Sequence, residues 1–400
     1  MSFKKMYEEF LACELTRDFT NMFQLFPSLE ALKTTPQDPF YHAEGDVWTH
    51  TVMVMNALLD MEEYQQAHIN DRFCMFYAAL LHDISKPTCT KHEEDGRITS
   101  KGHSRMGAID ARVMLWKYNV PFILREEICN IIAVHQVPFF AFDDKGNETR
   151  AARTPEFIAI QLSHNVLLRN LIVVATADMI GRYCEVKQKA LDDISLFAEL
   201  AKELDCYYWA YEFPNDVTKY EYFQRNGTID ANSLFYKRCK CIVHVMSGLP
   251  ASGKDTFIKQ HLPDLPVVSY DDAKKELGLT HKDNPGQAVQ LVLSKAKEYL
   301  ASGTEFVWNA THVSKQMREK TLNLLNQYDA YIIFHYVETD VNTLFSRNEQ
   351  RNAQVPKDFY DKLFTKWEVP LNTDAHLVMF YVGKYHNRLR YIGSFEDIDF

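Results

Sequence analysis

Ile242-Val243-His244-Val245-Met246-Ser247-Gly248-Leu249-Pro250-Ala251-Ser252-Gly253-Lys254-Asp255-Thr256 is the stretch on which the reading of this chain turns. A β-rich run enters a glycine loop, and Phe257–His261 continues at helical spacing, so strand, loop and helix come in the order that sets a loop on a helix N-terminus. Backbone N–H groups around Gly248, Ser252 and Gly253 can then cradle phosphates, with Lys254 adding a mobile positive charge. The cofactor this implies is ATP or another nucleoside triphosphate, with Mg. Asp255 stands where a hydroxyl residue ordinarily binds the Mg, and Thr256 follows, so the metal-ligand role stays open between the two.

Outward from this loop, short β-rich runs (242–246, 266–269, 305–308, 331–336 and 377–382) alternate with helical stretches, which implies an α/β domain with a parallel sheet. Val267-Val268-Ser269-Tyr270-Asp271-Asp272-Ala273-Lys274 puts a carboxylate at a strand end, where ligands bind in such sheets. Asp271 can take the proton from an attacking hydroxyl, and Lys274 can hold a phosphate of the acceptor. A helix cap with a solvated lysine is the plainer explanation for the same residues. Arg318 follows the strand Phe306-Val307-Trp308-Asn309 as a further substrate-binding candidate, and Arg347 and Arg351, at i and i+4 of one expected helix, can close over ATP.

Residues 5–200 read differently. Apolar residues recur at helical spacing, as in 73–81, 123–134 and 157–183, and a polar breaker-rich stretch at 139–153 reads as a loop. The expected layout is an all-helical domain over 1–204, an aromatic-rich connecting segment over 205–240 that packs the halves together, and the α/β domain over 241–400. Scattered through this half stand His50, His82-Asp83, His103 in Lys101-Gly102-His103-Ser104, His135 and Asp178, four of them beside apolar helical runs. Unpaired ionisable groups are costly there, and imidazole plus carboxylate suits a divalent metal. Pro87 should end the helix that carries His82-Asp83. His42 and His164 read as structural histidines or as supports of the ligands rather than as ligands themselves.

Composition narrows the function classes. The 400 residues suit two domains, and a formal charge of −10 argues against broad non-specific nucleic-acid binding while leaving room to grip one terminus. Eight cysteines without paired spacing read as thiols of a reducing compartment. No signal sequence opens the chain, and the apolar stretch 171–180 is short and contains Asp178. The expectation is a cytoplasmic protein without a membrane span.

The His/Asp set resembles the HD superfamily of phosphohydrolases. That resemblance implies His50, His82, Asp83 and Asp178 as ligands of a first metal, His103 and His135 as ligands of a second, and Lys86 as the lysine that neutralises substrate phosphate. One or two of Mn, Co, Ni, Fe or Zn would polarise the phosphoryl group. The C-terminal half resembles the kinase domain of phage-type polynucleotide kinases, with Ser269 to Lys274 as the general-base segment and Arg347 to Arg351 as the lid. Together the halves resemble the bacterial HD-Pnk family of RNA end-healing enzymes. The family implies hydrolysis of 2′,3′-cyclic phosphate or 2′/3′-phosphate ends, ATP-dependent phosphorylation of 5′-hydroxyl ends of RNA (or DNA), and a separate ligase acting downstream. Two alternatives stand beside this: an HD nucleotide hydrolase fused to a small-molecule kinase, and an ATP-responsive binding protein with a degenerate metal site. Nothing in the sequence sets an oligomeric state.

Overall fold

A computed structural model describes residues 2–143, 153–279, 286–351 and 354–383, which form two compact units divided between Glu212 and Phe213. The first unit is helical. Its principal helices are α1 (Phe3–Thr16), α2 (Val47–Asp60), α3 (Ile69–Leu81), α4 (His103–Lys117), α5 (Phe122–Val134), α6 (Pro155–Ser163), α7 (Leu168–Ile180) and α8 (Lys187–Glu203). α3 is the hub: every residue from Phe73 to Leu81 is buried, as an all-round apolar helix must be. α1 is tied to it by the Tyr77 hydroxyl, which donates to the Met6 carbonyl at 2.7 Å, and by edge-on contacts of Phe10 with Phe73 and Phe76.

The elements refine the sequence reading at four points. The apolar stretch over 157–183 is two helices, α6 and α7, bent by 115°. The break has a cause: the buried Glu127 carboxylate accepts from the Leu167 N–H at 3.1 Å, so the chain turns to meet it. α3 ends at Leu81 rather than at Pro87, which lies in the first turn of the short helix Lys86–Cys89, where a missing N–H costs nothing. A two-residue antiparallel strand pair, Lys91–His92 with Ile98–Thr99, interrupts the helices. The expected loop at 139–153 begins inside a 3₁₀ turn, Val137–Phe140; its residues 144–152 lie outside the described residues. Among the described residues no single helix is long and apolar enough to cross a membrane, and none of the eight cysteines is joined in a disulfide.

The second unit opens with α9 (Asp216–Gln224), followed by β1 (Ile242–Ser247), α10 (Lys254–His261), β2 (Val267–Ser269), α11 (Tyr270–Glu276), α12 (Gly286–Ser302), β3 (Phe306–Asn309), α13 (Lys315–Gln327), β4 (Tyr331–Glu338), α14 (Val341–Glu349), α15 (Lys357–Phe364) and β5 (Leu377–Val382). The five strands form a parallel sheet in the order β2-β3-β1-β4-β5, the α/β fold the sequence implies. α9 belongs to this unit, since the Tyr220 hydroxyl donates to Asn326 at 2.8 Å and its ring lies 4.1 Å from that of His376.

One close approach shapes the first unit. Gly181 caps α7 where α2 crosses it, and a Cβ there would sit 2.7 Å from the Val54 backbone nitrogen and 2.9 Å from its Cα. The neighbour is helix backbone and cannot swing aside. Gly181→Ala is expected to destabilise this unit by roughly 1–3 kcal/mol, read as a lower urea midpoint, and to loosen divalent-metal binding by moving His50 away from Asp178. An unchanged midpoint would show that α2 can shift freely.

Candidate active sites

In the first unit, helix ends converge on one buried centre. His50 lies one turn into α2, whose start is fixed by Asp46 accepting from the Thr49 N–H at 2.8 Å. His82 caps α3, and Asp83 stands in the turn beyond, so the two adjacent side chains can point the same way, which they could not inside a helix. His103 opens α4, His135 caps α5, and Asp178 is on the last turn of α7. The His50 Nε2 lies 3.0 Å from Asp178 Oδ1 and 3.4 Å from His82 Nε2; the His82 Nε2 lies 3.0 Å from Asp83 Oδ2, and the His103 Nε2 is 3.2 Å from Asp83 Oδ1. Such spacings suit neighbouring donors around an ion about 2.0–2.2 Å from each.

The histidines share a further pattern. The Nδ1 atoms of His82, His135 and His103 lie 2.7, 2.8 and 2.7 Å from the carbonyls of Ala79, Ile132 and Ser100, each three residues earlier. A carbonyl can only accept, so Nδ1 carries the proton and the Nε2 lone pair faces inward. His50 is held likewise, with Nδ1 3.0 Å from Glu44 Oε1. His135 Nε2 and both Asp83 carboxylate oxygens are buried without a well-formed hydrogen bond. Donors of this kind, inward-facing and unsatisfied, fit a divalent cation. Three triplets, His50/His82/Asp83, His82/His135/Asp178 and Asp83/His103/His135, have all their ligand atoms within 4.8 Å. Asp83 joins the first to the last, its two oxygens facing different histidines.

Charge balance follows from the same contacts. Burial works against the Asp83 carboxylate, yet His82 and Lys86 outweigh it and hold the group well below its usual range. Burial likewise opposes Asp178, and Arg182 overcomes it with contacts of 2.7–2.9 Å. His135 and His42 are pushed down to about 3 by burial, with His82 adding to the effect on His135. Lys86 Nζ lies 2.7 Å from Asp83 Oδ2 and donates to Gln37 at 2.7 Å. Thus all six expected ligands and Lys86 meet in one place. Glu44 and Arg182 were not anticipated, although Arg182 stands four residues after Asp178, the spacing of helix neighbours. His42, read as structural, binds Glu44 at 2.7 Å and so forms the rim of this centre.

The second unit presents its site at the C-terminal end of the sheet. Gly248 has φ 144° and Gly253 φ 113°, both in the region that favours glycine, and a Cβ on Gly248 would strike the Val337 carbonyl. The Ser252 hydroxyl is buried without a partner, a donor suited to a phosphate oxygen. Lys254 donates to the Gly248 and Leu249 carbonyls at 2.9 Å, and burial pushes it down to about 8, with Asp255 opposing and Arg351 reinforcing. Asp255 accepts from Asn309 at the end of β3 at 2.8 Å, while Thr256 is exposed on the first turn of α10.

Ser269 caps α11 and also bonds Asp272 at 2.6 Å. The Asp272 carboxylate is therefore engaged by the capping serine, and the Asp271 carboxylate makes no hydrogen bond among the described residues while its charge reaches Lys254. Lys274 lies over the Tyr270 ring, 4.7 Å from its centroid. Arg347 donates to the Ser252 carbonyl at 3.1 Å. Two expectations fail. Arg351 is not on the helix of Arg347, because α14 stops at Glu349 where Asn348 bonds both backbone groups of Val355 at 3.0 Å and turns the chain. Arg318 is 2% exposed and donates to Asp374 at 3.1 Å and to the His312 and Glu368 carbonyls at 3.2 and 2.6 Å, so it braces the sheet end rather than reaching out to a substrate.

Two outcomes follow. Adding Mn to chelator-treated protein should raise its melting temperature in a concentration-dependent way, by about 2.7 kcal/mol of added stability at a hundredfold excess over Kd, and Asp83→Ala should abolish the shift; an Asp83→Ala protein with the full shift would place the metal elsewhere. ATP affinity, by titration calorimetry, should weaken as pH rises through about 8, because Lys254 then loses the charge that attracts phosphate. Lys254→Arg should flatten that dependence.

Comparison with known families agrees with this division. Residues 47–183 match the HD domain family, and residues 243–367 match an AAA domain family. The chain is 41% identical over 83 residues to the adenylate kinase of Pyrobaculum aerophilum, covering 18% of this chain and 42% of that protein. It is 31% identical over 113 residues to the multifunctional CCA protein of Halorhodospira halophila, covering 28% of this chain and 25% of that one, and 27% identical over 107 residues to that of Pasteurella multocida, covering 26% and 24%. The chain thus spans between about a quarter and two fifths of the length of these relatives. A crystal structure from Chloroflexus aurantiacus aligns with 19% identity and a TM-score of 0.31 over 41% of this chain and 91% of that one. The protein joins a helical HD domain to an α/β domain with a P-loop, kinase-like architecture.

Proposed function

We propose that this protein heals RNA ends: the HD domain hydrolyses a 2′,3′-cyclic phosphate or a 2′/3′-phosphate, and the P-loop domain phosphorylates the 5′-hydroxyl from ATP, leaving ends for a separate ligase. The observation that carries the reading is the free carboxylate of Asp271. A kinase whose acceptor is a phosphate attacks with an oxygen already ionised at neutral pH and needs no proton acceptor; a hydroxyl acceptor does. With Asp272 engaged by the cap, Asp271 is left to orient and deprotonate a hydroxyl near Lys254. Lys254, Arg347 and Arg351 would carry the charge of the transferring phosphoryl, the Ser252 hydroxyl would hold a phosphate oxygen, and Lys274 would hold the acceptor's own phosphate. Bound Mg would neutralise the nucleotide phosphates, held through Asp255 or Thr256.

In the HD domain, His50, His82, Asp83, His103, His135 and Asp178 would hold one or two divalent metals, which supply Lewis-acid polarisation of the phosphoryl group. Lys86 would leave Asp83 for the substrate phosphate, and Arg182 keeps Asp178 ionised and aimed at His50. The 41% identity to an adenylate kinase favours a second reading in which the acceptor is a free nucleotide.

The test is an RNA strand with a 5′-hydroxyl and a 2′,3′-cyclic phosphate, incubated with ATP, Mg and Mn. Lys254→Ala should slow 5′ phosphorylation by about 100-fold or more and spare the 3′ reaction, and Asp83→Ala should do the reverse. Phosphorylation of nucleoside monophosphates with no reaction at either RNA end would overturn the proposal in favour of the second reading.

A further inference from the structure

A cleft of about 320 Å³ opens beside the metal-ligand set of the HD domain, near the lower end of small-ligand pockets, about 300–1,000 Å³. His103, Lys86 and Arg182, all nearly buried, form part of its lining, so phosphate chemistry lies at its base. Two aromatic rings also line it, and both are unusually bare: Tyr41 is 48% exposed and Phe140 60%. Both are held by ordered backbone. The turn carrying Tyr41 is closed by its own N–H on the Asp38 carbonyl at 3.1 Å, and the Asp38 carboxylate accepts from the N–H groups of Phe40 at 3.0 Å and Ile98 at 3.2 Å. Phe140 ends a 3₁₀ turn anchored by its buried neighbour Phe139, over whose ring Arg182 lies at 5.2 Å.

Exposed rings on rigid turns cost burial unless something covers them. Cations at the base of a cleft with bare aromatic faces at its rim match a ligand that is anionic at one end and flat and apolar at the other. Resting on the end-healing reading, we propose that Tyr41 and Phe140 stack the terminal nucleobase of the RNA whose 2′- or 3′-phosphate is hydrolysed, making them specificity-determining residues that admit a nucleotide end and disfavour a bare phosphoester. Stacking of this kind tolerates every base, since each has a π-face. The cleft's size favours one nucleotide rather than a duplex end.

The decisive comparison uses two oligonucleotides ending in 2′,3′-cyclic phosphate, one with its terminal base and one lacking it, with the Mn-loaded full-length protein. The wild type should favour the base-bearing end by roughly tenfold in kcat/KM, most of it in KM. Phe140→Ala and Tyr41→Ala should each shrink that ratio toward one, while Phe140→Trp, which keeps a ring, should retain it. A wild-type ratio near one, or alanine variants that keep the full ratio, would overturn the stacking proposal while leaving end healing intact. Failure of the wild type to open either substrate would overturn both. Bound Mn per chain, measured for each variant, shows that a changed ratio does not reflect a collapsed metal site.

Discussion

A carboxylate cut off from water stays ionised only if positive or proton-donating neighbours compensate the lost hydration. Asp83 is in that position, and much of the helical unit is arranged around it. Lys86 at 2.7 Å supplies the compensation from the next turn of chain, and the nitrogens of His82 and His103 approach from two sides. Each of those histidines is in turn fixed by a backbone carbonyl. The same logic recurs at Asp178, where Arg182 is the compensating cation, and at Glu44, whose carboxylate is held ionised by His42 and His50 against the penalty of burial. The bundle is therefore a set of helix ends brought together so that three buried carboxylates can remain charged. A divalent cation is the natural further partner for such a group, because carboxylate oxygens and imidazole nitrogens this close together are the donor set it prefers.

The α/β unit solves a different problem with backbone. Its phosphate site is a loop in which Gly248 and Gly253 take conformations closed to other residues, braced on one side by the Thr311 carbonyl, which accepts from the Gly248 N–H at 2.8 Å, and on the other by Arg347 and the Tyr360 hydroxyl, which donates to Pro250 at 3.1 Å. Residues from α14 and α15 thus touch the loop directly. The shape of the phosphate loop therefore depends on hydrogen bonds from that segment, those of Arg347 and Tyr360.

Much of this was legible from sequence because it is local or periodic. The five strands of the sheet announce themselves as β-rich runs between helical ones, and His50, His82-Asp83, His135 and Asp178 stand out as ionisable residues beside apolar helical stretches, where their cost demands an explanation. What could not be read depends on where chains end and turn. That α3 stops at Leu81 decides whether His82 and Asp83 can converge, and nothing in the apolar run marks the stop. Arg351 leaves the helix of Arg347 because of Asn348's contacts with Val355, seven residues away. Arg318 looks like a substrate residue until its partners, Asp374 and Glu368, arrive from 50 or more positions on. Glu44 was missed because it follows no helical spacing; it reaches His50 through a turn.

Lys86 and Lys254 show the two solutions meeting in one device. Each lysine is held by oxygens that belong to its own site: the Asp83 carboxylate for Lys86, and the Gly248 and Leu249 carbonyls for Lys254. Each of those oxygens is a weaker or more contested partner than a phosphate dianion, since loop carbonyls carry only partial charge and Asp83 is also faced by two histidines. A phosphate entering either site can therefore take the lysine by exchange of one short contact for another, without pulling a strongly hydrated ammonium out of water. Desolvation of the cation has already been met on folding, so little reorganisation remains when phosphate arrives. Placing both lysines within a turn or loop of their holding oxygens makes that exchange local, and it lets an acidic chain meet phosphate with a few aimed cations rather than a broad basic surface.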